Sequence, residues 1–222
     1  PGPEQVWEEA ARRWWVLHRR YGQGERKPWR RIRNADDRRE NAEVVRMMTE
    51  AAEQGHAEAQ SHLGTMYFRG YGVPQSDALA MEWYRKAADQ GYTPAQFNLA
   101  SMYREGRGGL PQSDALAVEW FRKAADQGNA QAQCNLGFMY SKGRGGLPQS
   151  DALAVEWYRK AADQGHAQAQ CNLGFMYEHG RGGLPQSGAL AVEWYRKAAD
   201  QGDAQAQLNL GFMYDEGRGG LP

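Results

Sequence analysis

The stretch GRGGLPQSDALAVEWYRKAADQG at residues 143–165 decides the fold, because nearly the same letters return at 180–202. The motif AADQG begins at 87, 124, 161 and 198, and AAEQG begins at 51, so the steps are 36 residues and then three times 37. The extra residue lies in the corner, which reads GYGVP at 70–74 and GRGGLP afterwards. A period of this length indicates a repeat protein in which each unit packs on its neighbours.

Residues 151–165, and their equivalents in the other units, form a segment that we name helix B. Its apolar residues recur at the spacing of one helix face. The residues that share this face are Ala154, Tyr158 and Ala161. Ser150 or Asp151 can cap the amino end of the helix, and Gly165 suits the position that follows its carboxyl end. The pattern predicts an amphipathic helix.

A second helix, helix A, is clearest at residues 166–180, where Ala169, Leu173 and Met176 share a face. Four of its copies contain an interior glycine, namely Gly64, Gly137, Gly174 and Gly211. An interior glycine costs a helix about 1 kcal/mol relative to alanine. We therefore expect a neighbouring helix to approach closely at this position. Ala100, which stands there in another unit, is small as well.

The first 55 residues follow the repeat less closely. NAEVVRMMTEAAEQG at 41–55 matches helix B at its small positions, and terminal repeats are usually atypical. We predict divergent capping helices over 1–55 and a repeat array over 56–222. The expected boundaries are 56–91, 92–128, 129–165, 166–202 and a half repeat at 203–222.

Residues 12–33 carry nine Arg or Lys and one Glu, although the whole chain has no net charge. Arginines alternate there with aromatic residues, a mixture that also occurs on nucleic-acid-binding surfaces. The candidate second surface comprises Trp14, Trp15, Arg19, Arg20, Trp29 and Arg30. The simplest interpretation is a cap whose tryptophans pack on the first repeat. Contact with an anionic surface, partner binding and self-association remain alternatives.

A set of positions recurs four times along the chain. In one unit these are Ala132, Leu136, Gly137, Tyr140, Gly143, Gly145, Asp151, Trp157, Tyr158, Lys160, Ala161, Ala162 and Gly165. This pattern resembles the Sel-1-like repeat family, a relative of the tetratricopeptide repeats. The resemblance implies an all-α, right-handed α/α solenoid whose A helices line a concave surface. It also implies a non-catalytic adaptor that binds other proteins, with no cofactor.

The corner GRGGLP lacks the features of other glycine-rich sites. A phosphate loop needs a preceding strand and a Lys with a hydroxyl residue at a fixed offset, whereas here a helix precedes and Leu-Pro follows. Its RGG copies are 37 residues apart, unlike the closely spaced tracts that bind RNA. We therefore do not expect a nucleic-acid partner.

The sequence offers no other reactive constellation. The five histidines are scattered and the two cysteines are repeat equivalents. Neighbouring helices are about 8–10 Å apart and a disulfide needs Cα atoms within about 6.8 Å, so we expect free thiols and no metal site. Free thiols are compatible with the cytoplasm, but the sequence assigns no compartment. No apolar run approaches the roughly 20 residues of a membrane helix, and we expect a soluble chain.

The helix A positions that differ between units are the candidate binding residues. By analogy with tetratricopeptide repeats, we expect them to line the concave groove. They are Phe97, Asn98, Arg104, Cys134, Asn135, Phe138, Cys171, Asn172, Phe175, Leu208, Asn209 and Phe212. Asparagine amides can bond a peptide backbone, while Phe and Leu supply apolar pockets. Alternatively, the asparagines only support packing between A helices.

The leading hypothesis is a scaffold that binds a peptide or helix of another protein in this groove. A second hypothesis is a self-assembly module that oligomerises through exposed ends, including the apolar side of residues 208–214. A third is the regulatory part of a larger enzyme.

Overall fold

The computed structural model describes residues 2–22, 35–109 and 111–219. All regular elements within these ranges are α-helices. They are α1 (Pro3–Gly22), α2 (Ala35–Glu53), α3 (Ala57–Arg69), α4 (Asp77–Asp89), α5 (Thr93–Glu105), α6 (Asp114–Asp126), α7 (Ala130–Lys142), α8 (Asp151–Asp163), α9 (Ala167–Glu178), α10 (Gly188–Asp200) and α11 (Ala204–Asp215). Helices α3, α5, α7, α9 and α11 are copies of helix A, and α4, α6, α8 and α10 are copies of helix B.

The helix ends follow the expected capping chemistry. The Ser150 hydroxyl accepts a hydrogen bond from the Leu153 amide at 3.3 Å, and serines cap the other B helices in the same way. Gly143 ends α7 in the left-handed conformation with φ +62°. A side chain would be strained there, so glycine is the residue that lets the chain turn into the corner.

The chain forms two compact units, unit 1 (Pro1–Gln112) and unit 2 (Ser113–Pro222). In unit 1, each of α1 to α4 packs on the next helix along the chain. In unit 2, each of α6 to α10 does the same, and α9 also contacts α11. The core of unit 1 includes α2, which buries Val44, Met48, Ala51 and Ala52. These are the positions that helix B buries elsewhere, so α2 is a helix B with Met48 in place of the tyrosine.

Three of the glycines inside helix A, Gly64, Gly137 and Gly174, each lie against a tyrosine of the following helix B. A Cβ atom added to Gly137 would lie 2.6 Å from Cδ1 of Tyr158. The equivalent distances are 2.8 Å from Gly64 to Tyr84 and from Gly174 to Tyr195. Side-chain atoms do not approach so closely, so the expected close approach of a neighbouring helix is confirmed. A Cβ at Gly211, by contrast, would meet no atom within 4 Å.

The corner joins the end of helix A to the start of the preceding helix B. Arg144 donates from Nε to Oδ2 of Asp114 at 2.7 Å. A Cβ on Gly145 would come within 2.5 Å of the Asp114 carbonyl oxygen. Equivalent ion pairs join Arg107 to Asp77 and Arg181 to Asp151, at 2.9 and 2.8 Å. Because these pairs are partly exposed, each contributes at most about 1 kcal/mol, and their main effect is to fix the geometry of the turn.

A buried glutamine in helix A bonds to the B helices on both sides. In unit 2, Gln133 donates from Nε2 to the Ala125 carbonyl at 3.1 Å and accepts from Gln164 at 2.7 Å. Gln170 repeats the arrangement with Ala162 and Gln201. A buried amide without partners would be costly, so these bonds favour one register between successive repeats.

Helix α1 packs on α3 through aromatic stacking. The Trp7 ring lies 5.0 Å from the His56 ring and 5.3 Å from the His62 ring, measured between centroids. Glu4 lies 3.5 Å from His56, and Glu58 lies 4.0 Å from His62. Burial lowers the pKa of His62, and the Glu58 carboxylate opposes this effect only in part.

We predict that Gly137→Ala destabilises the protein by about 1–3 kcal/mol, because the new methyl group collides with the Tyr158 ring. Gly211→Ala is the matched control. There the methyl group meets open space, and the gain in helix propensity should stabilise by up to about 1 kcal/mol. Urea denaturation followed by circular dichroism measures both changes. Equal effects of the two substitutions would contradict the packing described.

We also predict that stability falls as the pH drops below about 6.5, the ordinary pKa of histidine. Because the folded-state pKa of His62 is lowered, the unfolded chain binds more protons in this range, and stability rises with pH. His62→Asn, which introduces the residue found at the equivalent positions of the later repeats, should flatten the dependence. Thermal melts between pH 5 and 8 test this, and an unchanged slope in the variant would refute the role of His62.

Candidate functional site

The helix A surface of unit 2 contains a cleft of about 190 Å³ between α7 and α9. Its lining residues are Phe138, Ser141, Lys142, Tyr158, Asn172, Phe175, Met176 and Arg181. Phe138 and Phe175 form its apolar walls, although 38% and 39% of their side chains are exposed. Phe212 occupies the same position on α11 and is 57% exposed. We name the surface formed by Phe138, Asn172, Phe175, Asn209 and Phe212 the A face.

Unit 1 has a cleft of about 290 Å³ at the corresponding place, between α3 and α5. It is lined by Thr65, Phe68, Arg69, Tyr84, Phe97, Asn98, Ser101, Met102 and Glu105. Thr65 and Ser101 stand where unit 2 has Phe138 and Phe175. The two clefts therefore have the same position in their units but differ at this wall position, where unit 1 has hydroxyl groups and unit 2 has rings. The rings of the unit 1 cleft are Phe68 and Phe97, at other positions.

A helix B tyrosine forms part of the floor of each cleft. The Tyr84 hydroxyl lies 3.0 Å from the Thr65 hydroxyl, and Tyr158 lines the unit 2 cleft together with Ser141. Burial raises the pKa of Tyr158 to about 12, so this hydroxyl stays neutral and can both donate and accept a hydrogen bond. The sequence pattern placed Tyr158 on the buried face of helix B and gave no sign that its hydroxyl reaches the cleft.

Cys134 and Cys171 depart from the sequence expectation that they line the groove. Both are free thiols, as predicted, but they are only 6% and 2% exposed. Burial raises the pKa of each to about 12. Because a thiol is small and weakly polar, it packs beneath the surface instead of contacting a ligand.

The asparagines on the A face connect successive A helices. Nδ2 of Asn172 lies 3.8 Å from Sγ of Cys134, and Nδ2 of Asn209 lies 3.9 Å from Sγ of Cys171. Asn135 instead donates to the Gln131 carbonyl of its own helix at 2.8 Å. The packing role that the sequence left open for the asparagines is thus present. The long bonds of Asn172 and Asn209 to sulfur are weak ones that a better acceptor can replace.

The remaining predicted residues are divided between the two units. Phe97 and Asn98 both line the unit 1 cleft, but Arg104 is not among its lining residues and lies 3.6 Å from Glu105. Leu208 is 52% exposed on α11. Trp14, Trp15, Arg19 and Arg20 belong to α1, although their side chains lie outside the described part of the structure. Trp29 and Arg30 lie outside the described residues altogether.

In the last repeat, Glu178 of α9 replaces aspartate as the partner of the corner arginine. Gly188 replaces the aspartate that pairs with the corner arginine in the earlier repeats. Arg218 therefore binds Glu178 Oε1 at 2.9 Å, and the Tyr195 hydroxyl donates to Glu178 Oε2 at 2.7 Å. The aspartate missing at position 188 of α10 is thus replaced by Glu178 of α9. Glu178 lies one helical turn after Phe175, so a negative charge stands near that ring.

No group of three or more His, Cys, Asp or Glu residues that could hold a metal ion occurs within residues 2–22, 35–109 and 111–219. Among the helices in the same ranges, none is long and apolar enough to cross a membrane.

The profile of the Sel1 repeat family matches residues 57–92, 93–129, 130–166, 167–203 and 204–222. Among solved structures, a Sel1 repeat protein from Oxalobacter formigenes is 33% identical with a TM-score of 0.72, covering 85% of this chain and 77% of that one. No individually curated protein matches the sequence.

Two further solved structures are also similar to this chain. The protein c5321, a protective antigen of uropathogenic Escherichia coli with an SLR fold, is 30% identical with a TM-score of 0.72. The match covers 98% of this chain but only 52% of that one. The immunity protein PA5088 from Pseudomonas aeruginosa is 26% identical with a TM-score of 0.55, over 93% of this chain and 67% of its own length.

These matches confirm the resemblance seen in the sequence and the expected all-α class of consecutive helix-turn-helix repeats. Sel1 repeats are typically a non-catalytic scaffold fold, and proteins built from them generally mediate interactions between proteins. With five matched repeat segments that together span residues 57–222, this chain belongs to the Sel1 repeat family.

Proposed function

We propose that this protein is a non-catalytic scaffold whose A face binds a peptide or a short helix of a partner protein. The observation that carries the proposal is the exposure of three phenylalanines at one repeat position. Phe138, Phe175 and Phe212 are each more than a third exposed. Rings clustered in this way beside polar groups resemble the anchor pockets of protein interfaces.

The chemistry of the cleft between Phe138 and Phe175 supports this function. Its walls are aromatic, while its floor carries the Tyr158 hydroxyl and the Asn172 amide. An apolar side chain of a ligand can fill the space between the rings, and the polar groups can bond the ligand's backbone. The volume of about 190 Å³ suits one side chain better than a cofactor.

The test is selection of binding peptides from a random peptide library displayed on phage, followed by affinity measurement with fluorescence anisotropy. We predict that Phe138→Ala and Phe175→Ala each weaken the selected peptides by about tenfold, as expected when an interface anchor is truncated. Leu116→Ala is the matched control, because Leu116 is a 38% exposed side chain on the B helix α6. It should leave affinity unchanged.

Binding that survives both phenylalanine substitutions, in variants with unchanged circular dichroism, would refute the A face as the binding site. Failure to select any peptide, combined with concentration-dependent oligomers in sedimentation experiments, would favour the self-assembly hypothesis instead. In that case Leu208→Ser with Phe212→Ser should yield monomers, because these are the most exposed apolar residues described on α11.

A further inference from the structure

The distance between successive phenylalanine rings on the A face sets the distance between the ligand side chains that this surface can bind. The bonds from Asn172 to Cys134 and from Asn209 to Cys171 show that α7, α9 and α11 lie side by side. Helices packed in this way have axes about 8–10 Å apart. The rings of Phe138, Phe175 and Phe212, one on each helix, therefore recur along the A face at about this separation.

An extended peptide matches this separation. In the polyproline II conformation three residues make one turn and span about 9 Å, so side chains at i and i+3 point the same way. The cleft between Phe138 and Phe175 has a volume of about 190 Å³, which suits one side chain. A whole helix, about 10–12 Å in diameter, is too wide for it. An extended chain also presents free backbone groups to Tyr158 and Asn172, while a helix has already used its own.

Charge changes sign along the A face. Lys142, at the end of α7, lines the cleft between Phe138 and Phe175 and forms no ion pair with any residue in the described ranges. Arg181, the other cation there, is already paired with Asp151 at 2.8 Å. Glu178 lies on α9, and the exposed Asp215 and Glu216 lie at the end of α11. Arg218 neutralises only part of this acidic group, at 2.9 Å from Glu178 and 3.0 Å from Glu216.

We propose that the A face binds an extended peptide with two apolar anchors three residues apart. An acidic residue of the peptide lies beside the first anchor, facing Lys142, and a basic residue lies beside the second, facing Asp215 and Glu216. This assignment rests on the proposed function and specifies its ligand. Complementary charges at the two ends fix the direction of the chain and exclude ligands of the wrong order.

The unit 1 cleft provides an internal comparison. Thr65 and Ser101 replace the two rings there, and Arg69 and Glu105 place both charges in one cleft. The aromatic rings of this cleft, Phe68 and Phe97, stand at other positions, so it lacks the pair of rings at the repeat position of Phe138 and Phe175. The double variant Phe138→Thr/Phe175→Ser gives unit 2 the unit 1 residues without creating a buried cavity, since both rings are partly exposed.

The experiment uses labelled synthetic peptides and fluorescence anisotropy. One peptide has anchors at i and i+3 with the acidic residue outside the first anchor and the basic residue outside the second, and another is its reversed sequence. Two more place the anchors at i and i+2, or at i and i+7 in a helix-forming background. We expect one of the two i, i+3 peptides to bind on the order of tenfold more tightly than every other peptide. The Thr/Ser double variant should abolish the preference.

A charge exchange tests the order of the charges. In Lys142→Glu/Asp215→Lys, the preferred i, i+3 peptide should weaken and the peptide with its acidic and basic residues exchanged should become the tighter ligand. Equal binding of all spacings, absence of binding, or indifference to the exchange would overturn this inference. If library-selected peptides still depend on Phe138 and Phe175 in that case, the proposed function stands and only the ligand assignment fails. If they do not, both fail.

Discussion

The structure depends on one contact, in which a tyrosine of helix B lies against a glycine of the preceding helix A. At Gly137 and Tyr158 there is no room for even one additional carbon, because a Cβ would lie 2.6 Å from the ring. The tyrosine is 4% exposed, yet its hydroxyl reaches the cleft on the A face. The same contact therefore closes the core of the repeat and supplies the polar floor of the site.

The glycine–tyrosine packing recurs in both units, and the repeats differ in the residues that form the cleft walls. The walls of the clefts change from Thr65 and Ser101 in unit 1 to Phe138 and Phe175 in unit 2, with the floor tyrosine retained. In the last repeat Gly188 stands where the earlier repeats have an aspartate. The corner arginine there, Arg218, pairs with the carboxylate of Glu178 instead. The packing is thus repeated between the units, while the residues that form the cleft walls vary.

The sequence predicted the helices, a cap at Ser150 or Asp151 and the close approach at Gly137, because these follow from local spacing and from the small size of glycine. It did not predict which side chains reach the clefts. Cys134 and Cys171 occupy a position that differs between units, but their small side chains are buried and contact the asparagines of the next A helix. Tyr158 lies on the apolar face of its helix, and only the length of its side chain brings the hydroxyl to the other surface. The bonds of Gln133 to two different B helices also depend on packing between repeats, which periodicity does not report.

We infer that the Gly137–Tyr158 contact, and not the glycine's own helix propensity, determines the cost of substitution at position 137. A double-mutant cycle measured by urea denaturation tests this inference. In the Tyr158→Ala background, Gly137→Ala should change from destabilising to stabilising by up to about 1 kcal/mol, because the ring no longer opposes the methyl group. Effects that add to within about 0.5 kcal/mol would contradict the account, because residues that do not contact each other behave in that way.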